Sequence, residues 1–282
     1  MASETSISCF GAAHWDYLGQ SHPGHAGPDR PGTVRVRPGG VAANVSIELA
    51  ACGLIPDLFT VVGRDRDGES LLAALRAAGV GTDQALFSDT LPTGRYVAVE
   101  DEAGELISAV ADCRAIEALT AGAFHIKSSR PARFWFVEAN LPPAVIEDLA
   151  AAEARPPLAA NPVSPARANR LKTVLPLLDI LYCNRPEAEA LCDRRFRTPA
   201  DAVQAVLDMG ARRAVVTDGP RSVYDASSFG IFSADPDPAG FASATGAGDA
   251  FLARHLAAVI AEAPPSDALH AALRRPHGKE QA

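Results

Sequence analysis

Short apolar runs alternate with longer amphipathic stretches along most of this chain, and this alternation predicts an α/β fold. The apolar runs are rich in β-branched or aromatic side chains, as buried strands are; they are Ile7–Phe10, Leu58–Val62, Phe134–Val137, Ile180–Tyr182 and Ala214–Thr217. Stretches of helical composition lie between them, at Ala42–Cys52, Glu69–Ala78, Pro143–Ala154, Ala166–Leu171, Pro186–Leu191 and Ala200–Met209. Strands and helices in this order form βαβ units, so we expect a mostly parallel central sheet with helices on both faces.

Two segments interrupt this pattern. Residues 19–38 are rich in Gly, Pro and His and end in the alternating stretch Thr33–Arg37. Residues 93–111 predict a hairpin, in which Tyr96–Val99 and Leu106–Val110 flank a turn at Asp101–Gly104. Such half-polar strands predict a small sheet over one end of the domain; two separate surface loops are the alternative.

Composition restricts the class of protein and of partner. The 282 residues are 48% hydrophobic, enough for a substantial core in one large α/β domain or two smaller ones. The net charge of −8, with scattered basic residues, argues against a nucleic-acid polymer as partner but allows a nucleoside-sized ligand. The chain shows no signal-peptide pattern and no apolar stretch of bilayer length. Its five dispersed cysteines are typical of reduced thiols, so we expect a cytoplasmic protein without membrane contact.

The candidate chemistry is concentrated at residues 245–249, Thr-Gly-Ala-Gly-Asp, where small residues precede an acid and a helical apolar run follows. The first turn of a helix leaves N–H groups unpaired, so small residues there can hold an anion. The adjacent carboxylate of Asp249 could accept a hydroxyl proton. This combination fits phosphoryl transfer to an alcohol. The alternative is an ordinary glycine-rich helix start with an acid in the first turn.

Other polar motifs stand where predicted strands end, at the edge of the sheet where ligands bind in α/β proteins. They are Ala12–Asp16, Glu138–Asn140, Asn184–Glu187 and Thr217–Gly219. In addition, Gly39 and Gly40 precede the helix that contains Asn44. Paired glycines let a loop approach a substrate, and the Asn44 amide can bind hydroxyl groups. Asn44 as a helix cap and Asp16 as a solvated loop acid are the alternatives.

These motifs together resemble the ribokinase/PfkB family of carbohydrate and nucleoside kinases. Residues 39–63, with Gly39, Gly40, Asn44, Gly53 and Gly63, resemble the family's N-terminal signature, and residues 245–249 resemble the core of its C-terminal signature. Residues 184–187 resemble its NxxE motif and residues 217–219 its TxG phosphate turn. The order is that of the family, over about residues 5 to 260. The resemblance implies a ribokinase-like fold with one kinase domain over residues 1–282 and a small β lid formed by residues 12–38 and 93–112.

The resemblance also implies a role for each matching residue. Asp249 corresponds to the catalytic base, and the N–H groups of Gly246, Ala247 and Gly248 correspond to an anion hole for the transferring phosphoryl group. Glu187 would organise Mg²⁺ through water. The nucleotide-binding residues would be Asn184, Thr217 and Gly219, and the substrate-binding residues Asp16, Gly39, Gly40, Asn44 and Glu138. ATP would be the phosphoryl donor, and the resemblance also allows a bound monovalent cation. The lid would close over the substrate and could form the contact of a homodimer.

Several further segments resemble the pseudouridine kinase branch of the family: Thr93–Val99, Ala109–Asp112, Glu138–Leu141 and Asn161–Ser164. This branch implies phosphorylation of the 5′-OH of a small ribonucleoside, with pseudouridine as the first candidate. It also assigns Arg95 and Asp112 to the substrate, although both could be ordinary lid residues. A ribose-type sugar or another nucleoside is the alternative acceptor. Glu138 and Asn161 stand where this branch more often has Asp.

Some positions depart from the family pattern. Ala244 replaces a usual Thr, and Arg254 and His255 replace small or apolar residues of the helix that follows the loop. Asp267–Leu273 predicts the start of another helix, and residues 274–282 predict a disordered tail, which implies a shortened C-terminal part and a reduced adenine wall. A non-catalytic ligand-binding relative with an impaired ATP site therefore stays open. A dinucleotide oxidoreductase is a further alternative, although no glycine motif completes the GxGxxG fingerprint.

Overall fold

The chain folds around one large sheet in a computed structural model, which describes residues 5–24, 29–104, 106–126, 131–236 and 246–274. The strands of this sheet are β1 (Ser6–Phe10), β4 (Ile55–Phe59), β9 (Phe134–Glu138), β10 (Leu158–Asn161), β11 (Ile180–Asn184), β12 (Arg213–Asp218), β13 (Arg221–Ser227) and β14 (Gly230–Ala234). Their spatial order is β14-β13-β12-β11-β10-β9-β1-β4. All neighbours from β12 to β4 pair in parallel, and β13 and β14 extend the sheet antiparallel. The predicted mostly parallel sheet is confirmed.

Helices cover both faces of this sheet. They are α1 (Val41–Ala51), α2 (Arg66–Ala77), α3 (Arg114–Glu117), α4 (Pro143–Ala151), α5 (Arg185–Cys192), α6 (Pro199–Asp208), α7 (Ala247–Ile260) and α8 (Pro265–Leu273). The side chains of α4, α5 and α6 join one apolar cluster, and those of α1, α2, α7 and α8 join the other. Within the ranges given above, no helix combines the length and the hydropathy that a membrane crossing requires.

The strands bury side chains on both faces, as sheets between two helix layers must. On the first face, Phe10 packs on Phe59 with ring centroids 4.4 Å apart and on Trp135 at 5.1 Å. On the second face, Cys9 and Phe136 are fully buried against the layer that contains α7. Because both faces are filled, ligands can reach the sheet only at its ends, and the carboxyl ends of the parallel strands meet the start of α7.

The two interrupting segments form a second, small sheet. It consists of β2 (His14–Ser21), β3 (Gly32–Gly39), β7 (Arg95–Glu100) and β8 (Leu106–Asp112), in the order β3-β2-β7-β8. The two segments therefore share one sheet and are not separate loops. The pairing of β2 with β7 is parallel and the other two pairings are antiparallel. Residues 25–28 of the predicted lid lie outside the described residues.

The structure corrects some predicted elements. The single strand predicted over Leu58–Val62 is two strands, because the chain leaves the central sheet after Phe59 and β5 (Val61–Gly63) pairs with β6 (Leu86–Ser88) instead. The helix predicted over Ala166–Leu171 is a 3-10 turn at Ala168–Leu171. Strands β2, β6, β10, β13 and β14 were not predicted. Ala244, Thr245 and residues 275–282 of the predicted tail lie outside the described residues.

Candidate active site

Helix α7 begins with the small residues of the glycine-rich motif. Gly246 caps the helix in the left-handed region, with φ of 87°, which a residue without Cβ adopts at little cost. A Cβ added to Gly246 or Gly248 would meet no atom of the described residues within 4 Å. The first N–H groups of a helix have no partner within it. The turn from Gly246 to Asp249 therefore has the properties of an anion site.

Asp249 lies in this first turn and contacts α1. Its Oδ2 accepts a hydrogen bond of 2.9 Å from Nδ2 of Asn44. Burial raises the pKa of Asp249 to about 6; the bond from Asn44 opposes this rise, and the nearby charge of Asp16 adds to it. A carboxyl group with this pKa is ionised at neutral pH and accepts a proton more readily than an ordinary aspartate. Asp249 is therefore equipped to act as a general base.

A second carboxylate reaches the same space from the start of α5. Asn184 and Glu187 form a capping box: Oδ1 of Asn184 accepts from the Glu187 N–H, and Oε2 of Glu187 accepts from the Asn184 N–H, each at 2.9 Å. Such a box fixes both side chains at the helix start. Burial raises the pKa of Glu187 to about 7, and the charge of Asp249 adds to the rise. The charge of Asp249 therefore acts on Glu187 across the space between α5 and α7.

A cavity of about 180 Å³ occupies this space. Its walls come from the ends of β10, β11 and β12 and from the starts of α5 and α7. The residues that line it are Val41, Asn161, Val163, Tyr182, Cys183, Asn184, Glu187, Val215, Thr217, Gly246, Gly248, Asp249, Phe251 and Leu252. The structure thus brings together six residues that the sequence assigned to catalysis, nucleotide or metal: Asn184, Glu187, Thr217, Gly246, Gly248 and Asp249.

Sequence reasoning did not assign Asn161, Val163 and Tyr182 to the site. Asn161 ends β10; its Oδ1 accepts from the Val163 N–H at 2.7 Å, and its Nδ2 donates to the Tyr182 carbonyl at 3.1 Å. These bonds hold Val163 at φ 68°, an unusual conformation for a β-branched residue. The rule that ligands bind at carboxyl strand ends would have pointed to Asn161, but β10 was not predicted.

The acceptor side of the site depends on close backbone approach. A Cβ on Gly39 would lie 2.0 Å from Oδ1 of Asp16, and a Cβ on Gly40, whose φ is 96°, would lie 2.3 Å from the Ala12 carbonyl oxygen. Asp16 is buried on β2, 3.1 Å from Nδ1 of His14 and 3.6 Å from Nε of Arg37. Gly39 is therefore needed for Asp16 to lie against the chain before α1, and Gly40 is needed for the close approach of that chain to Ala12.

Glu138 lies beneath this acceptor side. Its carboxylate is fully buried and accepts from the N–H groups of Ala12 at 2.5 Å and Asn140 at 2.7 Å. Burial raises the pKa of Glu138 to about 7, and both backbone bonds oppose the rise. Its oxygens thus hold the chain that leaves β1, and a direct contact between Glu138 and the substrate stays a prediction.

Arg95 and Asp112 stand opposite each other on β7 and β8, and each has a partner on a helix outside the small sheet. Arg95 donates to Asp67 at 2.6 Å, and Asp112 accepts from Arg114 at 2.7 Å. The bond from Arg114 lowers the pKa of Asp112. Side chains alternate along a strand, so Arg95 points to the opposite face from Tyr96, which pairs with Asp16. The structure does not bring Arg95 and Asp112 to the cavity, and their contact with a substrate stays a prediction.

The turn after β12 contains the third nucleotide candidate. Gly219 is exposed at φ 59°, and a Cβ there would meet no atom within 4 Å. The preceding residue, Asp218, accepts from Arg185 and from Arg221. These two ion pairs tie the turn to α5 and β13, so Gly219 is exposed on a fixed turn next to the cavity residue Thr217.

The family follows from a match along almost the whole chain. The model of the pfkB family of carbohydrate kinases matches residues 4–274. This chain belongs to the pfkB family. As a pfkB kinase it is a phosphotransferase, and the ribokinase-like fold predicted from the sequence is confirmed by solved ribokinases.

Individual relatives match this chain over most of their length. The pseudouridine kinase of Escherichia coli K12 is 29% identical over 261 residues, which are 90% of this chain and 83% of that protein. The structure of a carbohydrate kinase from Agrobacterium tumefaciens has a TM-score of 0.83 and 29% identity, and the match covers 95% of this chain and 88% of that one. An Arabidopsis thaliana ribokinase complexed with ribose and ATP has a TM-score of 0.81 at 20% identity, covering 96% and 91%. The last comparison concerns the fold alone.

Proposed function

We propose that this pfkB kinase transfers the γ-phosphoryl group of ATP to the 5′-OH of a small ribonucleoside, and that pseudouridine is its acceptor. The observation that carries the proposal is the cavity in which the Asp249 carboxylate, the first turn of α7 and the Glu187 carboxylate meet. The similarity to a pseudouridine kinase at 29% identity supports the choice of acceptor. The bound ATP of a ribokinase with the same fold supports the choice of donor.

The acceptor would bind between the small sheet and the start of α1. The Asp16 carboxylate has the acceptor oxygens that a ribose diol needs. Because Gly39 has no side chain, this carboxylate can lie directly against the Gly39 backbone. Asn44 uses Nδ2 for Asp249, which leaves its Oδ1 to accept from a hydroxyl group. This arrangement would direct a primary hydroxyl of the sugar toward Asp249.

The transfer step would then use Asp249 as the base. The 5′ oxygen forms a bond to the γ-phosphorus, the bond between that phosphorus and the β–γ bridging oxygen breaks, and ADP leaves with the electron pair. The hydroxyl proton passes to Asp249, whose pKa of about 6 suits this transfer. The N–H groups of Gly246, Ala247 and Gly248 would stabilise the charge on the equatorial oxygens of the phosphoryl group.

The nucleotide and its metal would be held on the other side of the cavity. Mg²⁺ keeps several waters and binds proteins through one or two carboxylates together with substrate phosphates. Glu187 fits this requirement, because its carboxylate is desolvated, close to a second acid and fixed by the box with Asn184. The bound metal would neutralise phosphate charge as the transfer proceeds. Thr217 and Gly219 would contact the phosphates from the end of β12.

The small sheet would act as a lid and as a dimer contact. Its strands place an apolar row on the face opposite to Asp16: Val36 pairs with Tyr17, Tyr17 with Val97, and Val97 with Val110. The three valines are 52%, 46% and 69% exposed. An apolar row of this kind is typical of a protein interface. A second copy of the chain, which presents the same row, is the partner that we propose.

The kinase reaction can be tested directly. Purified protein is mixed with Mg-ATP and a panel of acceptors that includes pseudouridine, uridine, cytidine, adenosine and ribose, and ADP release is measured. We expect turnover with pseudouridine at the highest kcat/KM. The Asp249→Asn variant should lose at least about two orders of magnitude in kcat, which is the scale of general-base catalysis.

Each other outcome has a defined meaning. A higher kcat/KM for ribose or for another nucleoside would overturn the assigned acceptor and retain the kinase. Equal turnover in Asp249→Asn would overturn the assigned base. Binding of a nucleoside without any ADP release would favour a non-catalytic ligand-binding protein.

A further inference from the structure

His255 is a buried polar side chain of α7 that the transfer step described above does not use. It lies less than two helical turns after Asp249 and is 0% exposed. Its buried neighbours on the helix, Phe251, Leu252 and Leu256, are apolar. A polar group in such surroundings costs free energy unless it has partners. The imidazole therefore has to be considered together with the groups that face it.

Both ring nitrogens of His255 face groups on the central sheet. The hydroxyl of Tyr182 on β11 lies 2.9 Å from Nδ1, and Oδ2 of Asp225 on β13 lies 3.3 Å from Nε2. Asp225 also accepts two hydrogen bonds from the guanidinium of Arg213 on β12. Tyr182 and Asp225 are 2% and 1% exposed. One side chain of α7 is thus connected to three adjacent strands.

The surroundings of His255 and Asp225 favour one protonation state for each of these two groups. Burial lowers the pKa of His255 and favours the neutral ring. Burial acts against the charge of Asp225, but the bonds from Arg213 and His255 outweigh it and lower the pKa of that carboxyl. A neutral ring next to an ionised carboxylate places its proton on Nε2, so Nδ1 accepts from the Tyr182 hydroxyl. The Tyr182 hydroxyl then donates to Nδ1, and Nε2 approaches Asp225 at 3.3 Å as an electrostatic contact that lacks hydrogen-bond geometry.

The reacting turn of α7 has few anchors of its own. Gly246 provides no side-chain cap, and Gly246 and Gly248 carry no side chains that could pack. By contrast, α5 enters the same cavity with a complete capping box at Asn184. The bond from Asn44 to Asp249 holds the end of this turn, and contacts further along the helix hold the rest of α7 on the sheet. Apolar contacts tolerate small shifts of a helix, whereas hydrogen bonds require a defined direction.

The network lies directly behind the cavity wall. Tyr182 and Phe251 both line the cavity, and the Phe251 ring stacks on the His255 ring with centroids 5.9 Å apart. A shift of His255 would therefore move the wall and the turn that contains Asp249. Misplacement of reacting groups by about 1 Å can reduce a rate on the order of 100-fold.

We propose that His255, Tyr182, Asp225 and Arg213 form a positioning network that fixes α7 on the sheet, so that the turn from Gly246 to Asp249 meets the phosphoryl group in the reactive geometry. This inference rests on the proposed kinase function. The members of the network are positioning residues and do not touch the reacting atoms.

Three substitutions test the network. His255→Leu removes both polar contacts at similar volume, Tyr182→Phe removes one hydroxyl group, and His255→Gln keeps a donor for Asp225 and an acceptor for Tyr182. Ile260→Val is the matched control, because Ile260 is buried on the same helix outside the network. We expect kcat to fall at least about tenfold in His255→Leu and about threefold in Tyr182→Phe, with the KM of ATP and of the acceptor changed by less than about twofold. His255→Gln should recover to within about threefold of the unmodified enzyme.

Hydrogen exchange provides a readout that does not depend on activity. In His255→Leu we expect the amides of residues 250–253 to exchange at least about tenfold faster, while those of α5 keep their rate. Unchanged exchange in α7 would overturn the proposal even if no acceptor were turned over. Unchanged kcat in His255→Leu, or a loss that Ile260→Val reproduces at equal Tm, would also overturn it. Failure of the kinase function itself would appear separately, as an unmodified enzyme no more active than Asp249→Asn.

Discussion

At the scale of single residues, the candidate site depends on carboxylates that the fold has partly removed from water. Burial raises the pKa of Asp249 to about 6 and that of Glu187 to about 7; the charge of Asp16 adds to the first rise and the charge of Asp249 to the second. A desolvated pair of acids is unfavourable by itself and becomes favourable when it binds a cation and a proton donor. The burial that lowers the stability of the fold therefore also gives these acids the shifted pKa values that catalytic groups need.

The raised pKa of Asp249 predicts a pH dependence. Below about pH 6 the carboxyl group is protonated and cannot accept the hydroxyl proton, so kcat/KM for the acceptor should rise with pH through about 6 and level off above it. Steady-state rates between about pH 5 and 9 at saturating Mg-ATP test this expectation. Glu187→Gln is the control and should retain this acid limb at lower activity. A flat profile down to about pH 5 would contradict the role of Asp249 as base.

Gly39 provides a second test at the residue scale. In Gly39→Ala the new Cβ would collide with the Asp16 carboxylate, so Asp16 must move. We expect the KM of the acceptor to rise at least about tenfold while the KM of ATP stays within about twofold. Gly19→Ala is the matched control on the same small sheet, because its Cβ would meet its nearest atom at an ordinary 3.7 Å. Equal acceptor KM in both variants would show that Asp16 does not hold the substrate.

At the scale of elements, helices α5 and α6 begin with the same type of cap, so the effect of a cap on stability can be separated from its effect on activity. Both α5 and α6 begin with a complete capping box, at Asn184 with Glu187 and at Thr198 with Asp201. Only the box of α5 reaches the cavity. The hydrogen bonds of the cap are the same at both helices, but the two helix starts lie at different places in the fold.

This pair predicts equal stability effects and unequal activity effects. Asn184→Ala and Thr198→Ala should each lower the free energy of unfolding by about 1 kcal/mol, the usual value for a lost N-cap. Only Asn184→Ala should also raise the KM of ATP, by about tenfold, because only Asn184 lies beside the phosphates in the proposed complex. Urea unfolding and steady-state kinetics measure the two quantities. Similar kinetics in both variants would remove Asn184 from the nucleotide site.

Elements with strong local signals could be predicted from the sequence, and weak ones could not. Helix α6 was predicted to within a residue at each end, because it has a cap, a proline at its start and a regular apolar face. Strand β10 was missed because Leu158–Asn161 is short and half alanine, so it owes its conformation to pairing with β9 and β11. Strands β13 and β14 were missed because they are antiparallel strands at the edge of a sheet that was predicted from its buried parallel runs.

At the scale of the whole molecule, the apolar row on the small sheet predicts self-association. Val36, Val97 and Val110 are exposed side by side, and a second copy would bury them. Light scattering at micromolar concentration should give the mass of a dimer. The double variant Val36→Glu with Val97→Glu should give the mass of a monomer, because two buried like charges would face their copies. The control is Phe229→Glu, which changes an exposed apolar side chain elsewhere; a monomer for the unmodified chain would contradict the proposed contact.

The sequence by itself determined the alternation of strands and helices, the glycine-rich helix start and the order of the motifs, because each depends on residues close together in the chain. Only the tertiary structure decided which groups meet. Asn44 and Asp249 are 205 residues apart and form one hydrogen bond, and Glu138 turns its carboxylate to backbone N–H groups beneath the acceptor side. In the sequence His255 is only a polar residue in an apolar helix, and its contacts with Tyr182 on β11 and Asp225 on β13 are visible only in the fold. Local free energies select an element, whereas burial, pKa and long-range contacts depend on how all elements pack.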